Sequence, residues 1–202
     1  MAMRNIFKVL LLSAVIAPAV VSCDEDTQLP AYVPVKVSQT FSKGEDNSLL
    51  AINGWTNYNE AGNKKWMIQV YSGNGYAEFN PYSSGDASNV GWLITPVLDL
   101  NDGKDHKLTF KASQSYVSSS SNKLEVLISK DYDGTNVTAA TWTPLSATLP
   151  TTSSKYFEFI NSGDVNLAAY TGSKVHIAFK VTGSGTNADL DGSYQIDNVI
   201  VQ

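Results

Sequence analysis

Beyond Cys23 the chain contains no cysteine, and its 202 residues include only two histidines, His106 and His176. With that one thiol spoken for, no disulfide, thiolate nucleophile or cysteine-bound zinc is open to the rest of the chain. The histidines are isolated, with no second imidazole at ligand spacing, and His176 falls on the polar side of its strand, where a solvated role is expected. No G-x-S-x-G occurs, which removes the nucleophile elbow of one large hydrolase class. Charged residues make up only 16% of the sequence and the basic ones are never clustered, so no nucleic acid or anionic lipid surface is expected as a partner. After Val21 no window sustains an amphipathic helix.

What is present begins at the N-terminus. Arg4 and Lys8 precede an apolar run from Val9 to Val21, the layout of a secretory signal and too short to span a bilayer. Val20-Val21-Ser22-Cys23 resembles a bacterial lipobox, in which the cysteine carries lipid chains worth about 0.8 kcal/mol per buried CH₂. Residues 1–22 are therefore read as signal peptide and 23–34 as lipidated Cys23 plus a tether. The acidic block Asp24, Glu25, Asp26 reads either as a solvated tether or as the export signal that one phylum of Gram-negative anaerobes uses for surface lipoproteins. Enterobacterial-type sorting, with an aspartate retaining the protein at the inner membrane, is the competing address. Cutting before Cys23 removes two of fourteen basic residues and none of the nineteen acidic ones, leaving a net charge of −7.

From Lys36 onward the patterning has period two. Leu108, Phe110 and Ala112 alternate with Thr109, Lys111 and Ser113, and Val175, Ile177, Phe179 and Val181 alternate with His176, Ala178 and Lys180. Further strands are expected over Val35–Phe41, Trp66–Tyr71, Gly75–Phe79, Val90–Ile94, Leu124–Ser129, Tyr156–Phe159 and Tyr194–Val201, separated by turn-rich segments. Short strands at this spacing predict an all-β, two-sheet antiparallel jelly-roll sandwich over residues 35–202.

Two features concern possible ligands. In Tyr194–Val201 the apolar positions change parity between Ile196 and Val199, which means either a bulge at Asp197-Asn198 or a strand covered on both faces. Asp197 then lies in an apolar strand and needs a partner to offset its desolvation. Upstream, Asn187, Asp189 and Asp191 alternate before Gly192 in the manner of a calcium loop, although the twelfth position is Asn198 rather than a bidentate glutamate. Asp131-Tyr132-Asp133-Gly134 reads as a hairpin turn.

Gly54-Trp55-Thr56, Gly91-Trp92-Leu93-Ile94-Thr95-Pro96 with Leu98-Asp99-Leu100, Leu124 to Gly134, Ala140-Thr141-Trp142-Thr143-Pro144-Leu145, Val175 to Lys180 and Tyr194 to Val199 are together similar to the choice-of-anchor J group. That group is related to the cleaved adhesin domains of secreted bacterial proteases, and the resemblance runs over nearly the whole mature chain. It implies a jelly roll on a cell-surface or secreted protein, built like calcium-binding carbohydrate-binding modules. It also implies a calcium near the first and last strands with Asp197 as ligand. The relatives' acidic residue after the first strand's phenylalanine is replaced by Phe41-Ser42, with Glu45 and Asp46 following shortly after. Their aspartate-rich loop after Gly-Trp is replaced by Asn57, Tyr58, Asn59 and Glu60.

For the ligand, Tyr58, Tyr82, Tyr116 and Tyr132 lie in or beside turns and are the expected exposed rings, whereas Trp92 and Trp142 read as core. Glu78, Glu125 and Glu158 are expected on solvated strand faces. The reading is a non-catalytic lipoprotein of the outer membrane, facing outside, that binds an extracellular glycan, with calcium as the one possible cofactor. A protein-binding or structural adhesin component and, behind it, a glycan hydrolase are the alternatives. Replacing Cys23 with Ala is expected to release the protein from the membrane fraction or leave the precursor uncut; unchanged fractionation and processing would refute the anchor.

Overall fold

Alternation of apolar and polar side chains resolves into fourteen strands among the described residues, 32–202, of the computed structural model. They are β1 (Val37–Gln39), β2 (Ser48–Leu49), β3 (Thr56–Ala61), β4 (Met67–Tyr71), β5 (Asn74–Phe79), β6 (Asn89–Ile94), β7 (Leu98–Asp99), β8 (Lys107–Ser115), β9 (Lys123–Ser129), β10 (Thr143–Pro144), β11 (Ile160–Asn161), β12 (Val165–Asn166), β13 (Lys174–Gly183) and β14 (Ser193–Val201). Single 3-10 turns at Ala168–Tyr170 and Ala188–Leu190 are the helical elements described. Val33–Gln202 form one unit; the signal peptide, Cys23 and Asp24–Asp26 lie outside the described residues.

The strands form the two antiparallel sheets of a jelly-roll sandwich. One runs β11-β8-β14-β5-β4-β2, with β1 added to β14 and β12 to β8; the other runs β10-β9-β13-β6-β3, with β7 added to β13. Phe110 of β8 meets Phe179 of β13 edge-on across the core at 5.1 Å, and Trp66 packs on Phe79 at 5.8 Å. Such aromatic pairs add about 0.5–1.5 kcal/mol beyond their buried area. Tyr194 reaches the core from β14 with its hydroxyl donating to the Asn122 carbonyl at 2.9 Å, and burial pushes its pKa up to about 12.

A second apolar layer lies on the outer side of the β9-β13-β6-β3 sheet. Val90, Trp92, Ile94, Leu127, Tyr132, Val137 and Ala178 are buried there beneath the loop from Lys130 to Trp142, so β6 is buried at every position. Trp92 is thus buried, as expected, but in this layer and not between the sheets, and Trp142 stacks on it half-exposed at 5.2 Å. Asp131-Tyr132-Asp133-Gly134 is not a tight hairpin turn: it opens this long loop, whose ends are joined by the β9-β10 pairing. Tyr132 is 6% exposed, which removes it from the exposed rings expected from the sequence. Its ring meets His176 edge-on at 4.9 Å, and His176 Nδ1 lies 2.8 Å from the Thr95 carbonyl, so His176 is a half-buried, bonded histidine rather than a solvated one.

Other differences follow from context. The Thr56–Ala61 strand was not expected, because TNYNEA lacks an apolar alternation and is held as an edge by pairing with β6. Tyr156–Phe159 is not a strand; a single bridge joins Tyr156 to Gln114, and Glu158 sits exposed outside any strand. The parity change in β14 is a bulge, with the register shifting between Asp197 and Ile200 and Asn198 at φ +50°. Asparagine tolerates that left-handed conformation better than most residues.

Gly91 sets the spacing of the sheets. It faces the core from β6, and a Cβ there would overlap the Phe79 ring, which is fully buried. Gly91→Ala is expected to cost about 2–3 kcal/mol by overpacking and to lower the melting temperature of the full chain by about 5–10 °C. The same change made in a Phe79→Leu background is expected to cost clearly less; equal costs in both backgrounds would refute the contact.

Candidate functional site

Because β8, β14 and β5 put their apolar residues into the core, their alternate residues form a polar ladder on the outer face. Ser193 stands opposite Ser115, and Gln195 stands between Ser113 and Glu78. Ser113, Ser115, Ser193 and Gln195 are all buried, and their hydroxyl and amide groups are linked to one another. Ser113 Oγ donates to Gln195 Oε1 at 2.7 Å, Gln195 Nε2 donates to Glu78 Oε2 at 2.8 Å and to Ser193 Oγ at 2.7 Å, and Ser193 Oγ lies 2.7 Å from Ser115 Oγ. Satisfied in this way, a polar ladder can be buried without the cost of orphaned donors.

Glu78 closes the ladder at the floor of a cleft of about 470 Å³ lined by Glu78, Asn80, Tyr82, Ser115, Tyr116, Phe157, Asp191 and Ser193. Tyr82 and Tyr116 are 61% and 65% exposed on its rim, and Tyr116 is backed by Tyr156 at 4.7 Å between ring centroids. Ser83, Tyr116 and Phe157 hold positive φ values of 53°, 59° and 59°, so each of the three loops around the cleft carries a left-handed residue that costs conformational energy. Gly192 lets the loop before β14 press on this rim, since a Cβ there would lie 2.6 Å from the Val117 nitrogen. A second hollow of about 380 Å³, lined by Asn47, Lys64, Lys65, Met67 and Gln69 among others, shares Glu78 and Asn80 with the first. The two make a groove along the outer face, with Glu78 between them.

The Glu78 carboxyl is held above the ordinary glutamate range chiefly by burial, which outweighs the hydrogen bonds from Gln195, Ser193 and Asn80 that favour the anion. It is therefore not the solvated side chain expected from the sequence. Glu125 lies on the other sheet, ion-paired to Lys123 at 3.1 Å, and Glu158 pairs with Lys155 at 3.5 Å, so the three glutamates do not converge.

Of the four tyrosines expected at the ligand, the structure brings Tyr82 and Tyr116 together. Tyr58 is half-buried on β3 beside the second apolar layer, and Tyr132 is buried within that layer. On that outer face Trp92 is engaged: Lys180 Nζ lies 4.5 Å from the centre of its ring and 3.2 Å from Glu60 Oε2, which also accepts from the Trp92 indole at 2.8 Å. Glu78 was expected only as a solvated strand residue, and Phe157 and Tyr156 carried no local signal, because Phe157 reaches the cleft, and Tyr156 the back of Tyr116, from the segment beside β8.

The expected metal ligands fall in separate places. Asp197 is buried at the bulge where β14 changes partner from β5 to β1; Asn74 Nδ2 donates to its Oδ2 at 3.2 Å and the Asn198 N–H to its Oδ1 at 2.6 Å. Among the described residues Asp197 joins no ion pair. Asp46 is exposed and accepts from the Val70 N–H at 2.8 Å, while Glu45 is exposed and its carbonyl accepts from Ser48. Asn187 caps the turn Ala188–Leu190 by accepting from the Asp189 N–H at 3.0 Å, and Asp191 lines the cleft. Gly192 and Asp197 are five residues apart along the chain, or roughly 16 Å at strand rise, so the Asn187–Asp191 loop and Asp197 cannot share an ion. Among the described residues no three acidic or histidine side chains converge on one point. Of the expected ligands, Asp197 alone is a buried carboxylate without a cation among the described residues, and both of its oxygens accept from nitrogen donors.

A family model described as Domain of unknown function (DUF5017) matches residues 98–201. The fold is similar to the K1 cleaved adhesin domain of Lys-gingipain from Porphyromonas gingivalis W83, at 22% identity and a TM-score of 0.53 over 82% of this chain and 96% of that one. It is likewise similar to the K3 domain of the same protein, at 18% identity and a TM-score of 0.52 over 84% and 99% of the two chains. No curated protein sequence matches the chain.

The raised Glu78 carboxyl gives a pH dependence. The folded state holds the Glu78 proton more tightly than the unfolded state, so this stabilising contribution is complete in acid and is lost as pH rises from the unfolded value through the folded one. Glu78→Gln is therefore expected to melt above the unmodified chain at pH 7–8, with the gap closing toward pH 4; a gap that is constant across that range would refute the burial of the charge.

Proposed function

We propose that this chain, which belongs to the DUF5017 family, is a non-catalytic lipoprotein of the outer membrane, facing outside, whose jelly roll binds an extracellular glycan. The observation that carries the reading is the cleft: exposed Tyr82 and Tyr116 rings stand beside a floor of carboxylate, amide and hydroxyl groups from Glu78, Asn80, Ser115 and Ser193. A sugar ring presents an apolar C–H face to such rings and directs its hydroxyls to such a floor. The groove continues past Glu78, which suits a chain of several sugars better than one. The anchor and the address draw on Cys23 and the acidic residues after it, and kinship with choice-of-anchor J proteins draws on the motifs that span the mature chain.

Glycoside hydrolysis is the second reading, favoured by Glu78 and Asp191 lining one cleft, since an acid with a raised pKa near a second carboxylate is the arrangement that reaction uses. Calcium belongs to the proposal as a stabiliser at Asp197, away from the cleft. A site occupied only in the folded state adds about 2.7 kcal/mol at a hundredfold excess over Kd.

The test is a glycan-array screen of the full chain in chelator and in millimolar calcium, followed by titration of any glycan retained. Tyr116→Ala and Tyr82→Ala are each expected to weaken binding about tenfold, from the loss of roughly 1–1.5 kcal/mol of ring contact. Absence of any retained glycan would refute the reading, and reducing ends released from a bound glycan would favour the hydrolase. In the same samples calcium is expected to raise the melting temperature, and Asp197→Ala to abolish that rise.

A further inference from the structure

Glu78 differs from the acidic side chains that the fold neutralises. Glu60, Asp102 and Asp164 are ion-paired at 3.2, 2.7 and 2.9 Å, and Asp46 and Asp133 accept backbone N–H groups at exposed turns. Glu78 is half-buried, joins no ion pair among the described residues, and takes its hydrogen bonds from the neutral donors Gln195 at 2.8 Å and Ser193 at 3.4 Å. Its charge is left unneutralised at the floor of a cleft in which no basic residue takes part, with Asp191 supplying a second carboxylate. Lys64 and Lys65 lie in the adjoining hollow on the other side of Glu78, and Lys65 Nζ is engaged with the Asn57 carbonyl at 3.0 Å. Two carboxylates among the rings of Tyr82, Tyr116 and Phe157 make a receptor for a cation: the charge attracts it, and the ring faces stabilise an ammonium by about 0.5–2 kcal/mol according to how far it is desolvated.

We propose that the cleft selects a glycan residue bearing a free amine, a hexosamine without its N-acetyl group, with the ammonium directed at Glu78 and Asp191 and the sugar face on Tyr116 and Tyr82. This rests on the glycan-binding reading and narrows it. An acetamide at the same position carries no charge and leaves Glu78 unneutralised, so the discrimination resides in the carboxylates, while the rings contribute to either sugar.

The experiment titrates the full chain with a β-1,4-linked glucosamine hexamer and with its fully N-acetylated counterpart, at low salt and at about 0.3 M salt, where the screening length has fallen to roughly 6 Å. The amine form is expected to bind at least tenfold tighter, with a preference that persists in salt. Glu78→Gln is expected to bring the ratio within about twofold, by weakening the glucosamine hexamer far more than its acetylated counterpart, and Tyr116→Ala to weaken both alike. Asp191→Asn, an exchange at the cleft wall, is expected to reduce the ratio as well, and Asp133→Asn, outside the cleft, to leave it unchanged. Equal binding of the two hexamers, or a preference lost in salt or lost equally in Asp133→Asn, would overturn amine selection and leave glycan binding standing. Failure of both hexamers and of every glycan on the array would overturn both. Tighter binding of pentalysine than of the glucosamine hexamer would assign the cation site to a peptide and overturn the sugar.

Discussion

The structure turns on β14 and the irregularity inside it. This strand pairs with β8 along its length, and on its other edge with β5 through Tyr194–Ile196 and then with β1 through Val199–Val201. The bulge at Asp197-Asn198 occupies the change of partner, and it allows both halves of the strand to place their apolar side chains in the core although their parity differs. A regular strand would have turned either Tyr194 and Ile196 or Val199 and Val201 outward. The same pleat that sends Tyr194 and Ile196 inward sends Ser193 and Gln195 outward, so the core and the floor of the cleft are two faces of one strand.

Electrostatics distinguish Glu78 from Asp102, in the loop between β7 and β8. Around Asp102 the fold brings strong donors close: hydrogen bonds from the Lys36 ammonium at 2.7 Å and from His106 Nε2 at 2.8 Å hold its carboxyl well below the usual range. Around Glu78 it brings amide and hydroxyl donors and aromatic rings instead, and burial prevails. A desolvated carboxylate kept without a counter-charge is a cost to stability that a bound polar or cationic ligand can offset. An acidic domain with no disulfide carries that cost on a packed core alone, with Phe110 against Phe179 and Gly91 against Phe79 joining the two sheets.

The strands that supply the core were legible because period-two alternation follows directly from the pleat, as in Leu108–Ala112 and Val175–Val181. The bulge was legible as a change of parity, though only as one of two readings, since a strand covered on both faces produces the same pattern. β3 was not legible: its polar residues have no alternation and adopt extended geometry because β6 offers hydrogen bonds. Tyr132 and Trp142 could not be placed correctly, because nothing local says that the loop between them folds back over the second sheet. Tyr82 and Tyr116 were picked out as turn residues, but their meeting at one cleft was beyond local reasoning.

By itself the sequence determined the all-β class, the two-sheet build and the absence of thiols from residues 35–202, because each depends on residue type and short-range periodicity. The tertiary structure alone decided which polar residues are buried, that Glu78 lacks a counter-charge among the described residues, and that Tyr82, Tyr116, Phe157 and Asp191 surround it. Those facts depend on desolvation and on contacts between strands and loops far apart in the chain, quantities that arise only once the sheets have paired and closed on each other.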